Sequence, residues 1–325
     1  MFDRLLSGAA AFAFLAAAPA LADSWDIADE YPAGSLGGQT ADHFARAVAE
    51  KTAGRIEVTV HHGGALGYRS VDQFDAVGDG ALHGASSAFA FWGGIDPIFL
   101  VSTLPFITPT VAEARRLYEV ARPDYAAVLE ANEQVLLLAT PWPSAGLWGN
   151  KAFISSQDLA GEKIRTYDVS STTTLKNAGA FPIQLSWSDV PAQLSTNAID
   201  GVLTSANGGV GIQLWELQSH FTNVNYTMSL QGIHLNKGIW DGLDDATRDT
   251  VLAAAKEAED FGWSAVAASM EKDFATMAEH GVTVTPEIPA AFAADLAAAA
   301  QPFIDDWTAQ TGDRGAAILR AYRGQ

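Results

Sequence analysis

Cysteine is absent from the 325 residues, which excludes disulfides, thiolate metal sites and cysteine nucleophiles together. A chain of this length without cross-links must hold itself by core burial. Basic residues are scarce as well: 19 Lys and Arg stand against 38 Asp and Glu, for a formal charge of −19. Such a field excludes nucleic acid as a partner. Salt screens it beyond about 8 Å, so one buried arginine can still dominate the potential at a local site. Beyond the amino terminus, no stretch approaches the roughly eighteen uninterrupted apolar residues of a membrane helix. Metal-ligand spacing is missing too. His61 and His62 are adjacent on an alternating segment and point to opposite faces, while His43, His83, His220, His234 and His280 stand apart. Gly84-Ala-Ser-Ser-Ala88 lacks the final glycine of a nucleophile elbow, and Gly208-Gly-Val-Gly211 does not match a dinucleotide fingerprint. No catalytic residue, metal site or cofactor is expected.

What is present starts with Arg4, an apolar run over 9–18 and Ala20-Leu-Ala22 before Asp23, which reads as a signal peptide at 1–22, cleaved after Ala22. The remaining chain is longer than one compact core usually supports, so two lobes with a cleft between them are expected. Alternating segments predict strands at 25–30 and 55–61 around a helix at 40–51, the opening of a βαβ unit. A helix at 71–77, buried strands at 83–91 and 135–142, and a helix from Thr108 or Thr110 to about 121 continue the pattern. It begins again with strands at 163–167, 181–185 and 201–205 separated by helices at 171–178 and 188–197. Extended chain follows at 221–235, then one very long helix at 244–280, a strand at 282–286 and an alanine-rich helix at 290–310, kinked or split at Pro302. The class is α/β.

The most informative stretch is Leu159-Ala-Gly-Glu-Lys-Ile-Arg165, followed by Asp189-Val-Pro-Ala-Gln-Leu-Ser-Thr-Asn-Ala-Ile-Asp-Gly201, which sets one arginine at the end of a short strand. With Phe44 and Ala49-Glu-Lys-Thr-Ala-Gly-Arg55, then Gly64-Ala-Leu-Gly67, then Leu104-Pro-Phe106 in order, it resembles the substrate-binding proteins of tripartite ATP-independent periplasmic (TRAP) transporters, of the DctP type. The resemblance covers nearly all of the chain beyond the leader. It implies a two-lobed periplasmic binding protein fold with strand exchange between lobes, a hinge and a long lobe-spanning helix. Residues 23–145 would lie mainly in the first lobe and 146–235 mainly in the second, with 236–325 as the long helix and closing segments packed on both. It further implies a periplasmic monomer that takes up a small organic acid and delivers it to the small and large membrane permease subunits. An exported hydrolase or lyase of two lobes, and a sensor input protein of the same fold, are the alternatives.

In that family an arginine at the position of Arg165 clamps the ligand's carboxylate. A planar guanidinium presents paired donors that match two carboxylate oxygens, although spacing alone equally allows a strand-end arginine paired to a neighbouring acid. Two departures concern the ligand. Where some members carry a second arginine, this chain has Gly146-Leu-Trp148, and where the family often has Gln-Glu-Asn after Asp200-Gly201 it has Val202-Leu-Thr204. Trp92, Trp142, Trp148, Trp187 and Trp215 fall near loops that should face the cleft; of these Trp148, Trp187 and Trp92, with Phe91, are the expected ligand contacts. Glu30 and Tyr31 close the first strand, Tyr167 follows Arg165 on the same strand face, and Thr204 and Asn207 offer hydrogen bonds, Asn207 being equally suited to a turn. Aromatic walls beside one arginine favour an aromatic monocarboxylate over an aliphatic or sugar acid.

Overall fold

Ser35 starts the first helix, Leu36–Lys51, by accepting from the Gly38 N–H at 3.0 Å, and Phe44, Ala47 and Val48 bury its inner face. The turn from 36 to 39 escaped the sequence reading because Gly37 and Gly38 have poor helix propensity. The computed structural model describes residues 23–325, so the leader expected at 1–22 lies outside the described residues.

Eleven strands form two sheets among the described residues. β1 (Asp23–Asp29), β2 (Ile56–His61), β3 (Gly84–Ala88) and β4 (Gln134–Pro141) come first in the chain. β5 (Ala145–Gly149), β6 (Lys163–Thr166), β7 (Phe181–Gln184) and β8 (Gly201–Ser205) follow, then β9 (His220–Thr222), β10 (Leu230–Asn236) and β11 (Thr283–Thr285). The first sheet has the order β2-β1-β3-β10-β4 and the second β11-β9-β5-β8-β6-β7. β1 runs parallel to β2 and β3, whereas β10 runs antiparallel to β3 and β4. The sheet is therefore mixed around β3, not parallel throughout. The segment expected as one strand at 83–91 stops at Ala88 and turns into a 3-10 helix, Phe89–Trp92. β10 belongs to the first sheet although it lies in the stretch expected mainly in the second lobe, and β11 joins the second. Strands are thus exchanged between the two α/β lobes.

The long helix, Asp245–Glu279, opens on Asp244, whose Oδ1 accepts from Thr247 N–H at 2.8 Å. Val251, Ala254, Ala255 and Ala258 pack into a core of the first lobe, and Met277 packs with Trp148, Val202 and Phe221 of the second. Gly262 permits the crossing, because a Cβ there would meet Thr140 Cγ2 at 2.5 Å and Thr40 Oγ1 at 2.8 Å. Two expectations for helices that contain a proline are corrected. The helix expected to stop near 121 runs as Val111–Glu130 through Pro123, with Tyr125 and Leu129 buried beyond it. The last helix runs as Ala290–Arg323 through Pro302, and its break falls at Gly312, where φ is 56° and ψ −135°.

Candidate functional site

β6 places Arg165 beside Ile183 of β7 and Val202 of β8, at the carboxyl end of the second sheet's parallel strands. Its side chain is 2% exposed. Nε donates to the Leu185 carbonyl at 3.1 Å and Nη1 to the Leu203 carbonyl at 3.3 Å, and the guanidinium lies 5.3 Å from the Trp187 ring centre and 5.8 Å from that of Tyr167. Two main-chain carbonyls use only part of a five-donor fork. Burial pulls the Arg165 pKa below its ordinary value, and the Glu30 carboxylate opposes that shift. The group remains a cation, desolvated and without a carboxylate at ion-pair distance among the described residues, an arrangement that favours an anion arriving from outside.

The cavity in front of Arg165 lies between the lobes. Tyr31, Ala88 and Phe91 line it from the first lobe, Arg165, Tyr167, Trp187 and Thr204 from the second, and Trp142, Pro143, Ala145 and Ser229 from the crossing segments. It is small: about 50 Å³ is open to the centre of a water molecule, where one water needs about 10–15 Å³. Tyr31 packs against Trp142 with ring centres 4.7 Å apart and reaches Trp187 at 6.5 Å. Burial pushes the Tyr31 and Tyr167 phenols well above their usual range, so both stay neutral.

Six of the expected site residues thus meet at one cavity: Arg165, Tyr31, Phe91, Tyr167, Trp187 and Thr204. Four do not. Trp148 is 0% exposed, donates from Nε1 to the Ser205 carbonyl at 3.3 Å and lies under Gly209, whose missing Cβ would sit 2.2 Å from the indole. The cause is strand alternation: Ala145 lines the cavity, and a residue three places along β5 projects to the other face. Trp92 is buried in the first lobe against Phe74, Phe89 and Phe99, with Nε1 bonded to the Ser70 carbonyl at 2.8 Å. Glu30 is 4% exposed and accepts from two main-chain N–H groups, Ser70 at 2.9 Å and Ser188 at 3.2 Å. Asn207 accepts from Leu36 N–H at 2.9 Å and donates to Asp273 at 3.0 Å, lining a separate groove beside the long helix.

Trp142 is the contact that sequence reading grouped with the cleft tryptophans without carrying further. Its signal was the turn Pro141-Trp-Pro143 at the end of a buried strand, where the chain leaves the first sheet. Pro143, Ala145 and Ser229 carried no signal of their own, since they line the cavity only because two crossings run side by side; Trp142 N–H bonds the Ser229 carbonyl at 2.8 Å.

The adjacent histidines serve the end of β1. His61 Nε2 meets Asp26 at 2.7 Å, and His62 bridges Asp29 at 2.9 Å and Asp42 at 3.0 Å. Asp29 also accepts from the Tyr31 N–H at 3.0 Å, so His62 braces the strand end that presents Tyr31. Among the described residues, no group of three or more His, Asp or Glu is arranged to hold a metal ion.

Comparison with known proteins bears on this geometry. The DctP family model, described as bacterial extracellular solute-binding protein, family 7, matches residues 27–310. DctP7 of Bordetella pertussis, an extracytoplasmic solute receptor whose crystal structure binds pyroglutamic acid, is 29% identical with a TM-score of 0.89, over 93% of this chain and 100% of that one. A marine metagenome TRAP solute-binding protein specific for pyroglutamate is 27% identical with a TM-score of 0.89, over 94% of this chain and 99% of that one. The ectoine/5-hydroxyectoine-binding periplasmic protein UehA of Ruegeria pomeroyi is 26% identical, over 97% of this chain and 94% of its own length.

Proposed function

The chain belongs to the bacterial extracellular solute-binding protein family 7, receptors of TRAP transport and not enzymes, and from that membership we propose that Arg165 clamps the carboxylate of one small ring-shaped monocarboxylate in the interlobe cavity. Family membership sets aside the hydrolase or lyase alternative. Among the described residues, no helix is long and apolar enough to cross a membrane. Delivery from the periplasm to small and large permease subunits, by a monomer whose leader is residues 1–22, completes the proposal.

The observation that carries this reading is the buried guanidinium of Arg165, held by two carbonyls and facing a cavity walled by aromatic rings. One cation lines the cavity, so a second ligand carboxylate would be desolvated without a counter-charge, at a cost of several kcal/mol. The space is small, on the scale of one small ring bearing a carboxylate. Pyroglutamate, a five-membered lactam with one carboxylate, has this size and charge. Thr204 and Ser229 are among the lining residues, and hydroxyl side chains can serve its ring N–H and carbonyl. The aromatic walls favour a second reading, a flat aromatic monocarboxylate such as benzoate.

Calorimetry of the protein with pyroglutamate, benzoate, glucuronate and succinate separates these readings. Pyroglutamate is expected to bind most tightly, while tightest binding of benzoate would select the aromatic reading. Arg165→Ala should weaken the ligand that binds by at least about a hundredfold. Arg165→Lys should also bind poorly, because a point charge does not reproduce the fork. Near-native affinity of Arg165→Ala would sink the clamp.

A further inference from the structure

Glu30 is a buried carboxylate divided between the lobes. Oε2 accepts from the N–H of Ser70, the first residue of the first-lobe helix Ser70–Gly78. Oε1 accepts from the N–H of Ser188, on the second-lobe turn Trp187–Asp189. The residues next to these two donors make a second bridge across the cleft: Arg69 meets Asp189 through paired contacts of 3.2 and 3.3 Å, with both side chains partly exposed. On the other side of Ser188, Trp187 is buried, and its ring covers Arg165 at 5.3 Å and faces Tyr31 at 6.5 Å. The acceptor is thus one residue from a first-lobe cavity wall, Tyr31, and its second-lobe donor is one residue from another, Trp187.

We propose that Glu30 is a positioning residue that couples closure of the lobes to the seating of Trp187 over Arg165. When the lobes part, Ser70 stays with Glu30 while Ser188 leaves, so one charge-assisted hydrogen bond separates the open from the closed form. In the closed form that bond fixes the turn carrying Trp187, and the indole completes the dry wall around the ligand. The exposed Arg69–Asp189 pair guides the approach and contributes little to holding the closed form. This rests on the receptor reading above for its ligand but not for its conformational consequence.

Glu30→Gln tests the coupling. The isosteric amide offers one acceptor where the carboxylate has two, and a role limited to capping Ser70–Gly78 would lower thermal stability without changing ligand kinetics. Because the chain has no cysteine, dyes can be placed through Asp72→Cys and Ala192→Cys, exposed positions on the two lobes, and closed and open molecules counted one at a time. The expected result is that Glu30→Gln lowers the closed-to-open ratio about tenfold, both without ligand and with saturating pyroglutamate. Stopped-flow should show pyroglutamate leaving about tenfold faster while association stays within about threefold. An unchanged closed-to-open ratio in both conditions would overturn the proposal, whatever happens to stability. If pyroglutamate does not bind the unsubstituted protein, the ligand assignment fails and the ligand-free ratios alone decide the coupling.

Discussion

Trp142 and Trp148 are six positions apart and both buried, yet only Trp142 reaches the cavity. Trp142 packs at a tilt against Tyr31 at the mouth of the chain crossing, whereas Trp148 is sealed between Phe221 and Gly209. Trp142→Ala should therefore weaken ligand binding by more than about tenfold while costing modest stability. Trp148→Ala should instead cost about 3–5 kcal/mol in urea denaturation, from lost packing around a rigid ring. Equal effects of the two substitutions on affinity would contradict this assignment. Arg165 was legible because Lys-Ile-Arg ends a short strand in a recognisable context, and Tyr31, Phe91 and Tyr167 because they flank strand ends. Trp148 was misread because residues 145–149 were not recognised as a strand: Ala-Gly-Leu-Trp-Gly has two residues of poor strand propensity and lies just past Pro143. Without the strand, its alternation could not be used. Glu30 was found for its place and misjudged for its partner, since main-chain N–H groups from two lobes leave no trace in side-chain spacing.

At the scale of elements, strands and helices with regular periodicity were legible, and those governed by proline or by long-range pairing were not. Pro123 lies just past the expected helix end and Pro302 at an expected kink or split, yet burial of Tyr125 and Leu129 after one, and of Phe303 and Trp307 after the other, carries each helix onward. Such burial contributes about 1.5–3 kcal/mol per large side chain, enough to offset a loss of roughly 3 kcal/mol at an internal proline. The interruption falls at Gly312 because φ 56° with ψ −135° is a conformation only glycine adopts readily. Gly312→Ala should lower stability by about 1–3 kcal/mol in chemical denaturation, with ligand affinity unchanged because the position does not line the cavity. An unaltered denaturation midpoint would show that the break relaxes into continuous helix. The β5 and β10 pairings were beyond sequence reading for a related reason: β10 pairs with β3 and β4 across 89 to 151 residues, and only the completed sheet defines its partners.

For the whole molecule, two buried or half-buried histidines set opposite flanks of the stability profile. His234, enclosed between Ser87 and Gln134, is held by burial at about 3, far below its ordinary value. The unfolded chain takes up a proton there below about pH 6.5 and the native protein does not, so this contribution is present above that pH and is lost as pH falls toward 3. His62 is raised to about 9, chiefly by its hydrogen bond to Asp29 and also by Asp42, against the opposing effect of burial. Its contribution is full below about pH 6.5 and disappears as pH rises through about 9. Urea midpoints should peak near pH 6.5, and His62→Asn should flatten the alkaline limb while leaving the acid limb in place. Parallel alkaline limbs for the two proteins would remove His62 from this account. The exchange of strands between the lobes also governs how the chain can fold as it emerges from its amino end. The first sheet lacks its partner for β3 and β4 until residue 236 of 325 has appeared. Neither lobe is therefore a continuous piece of chain that can complete itself early. A nascent chain halted anywhere before that point exposes the edges of β3 and β4 and stays loosely structured, and the two lobes finish together.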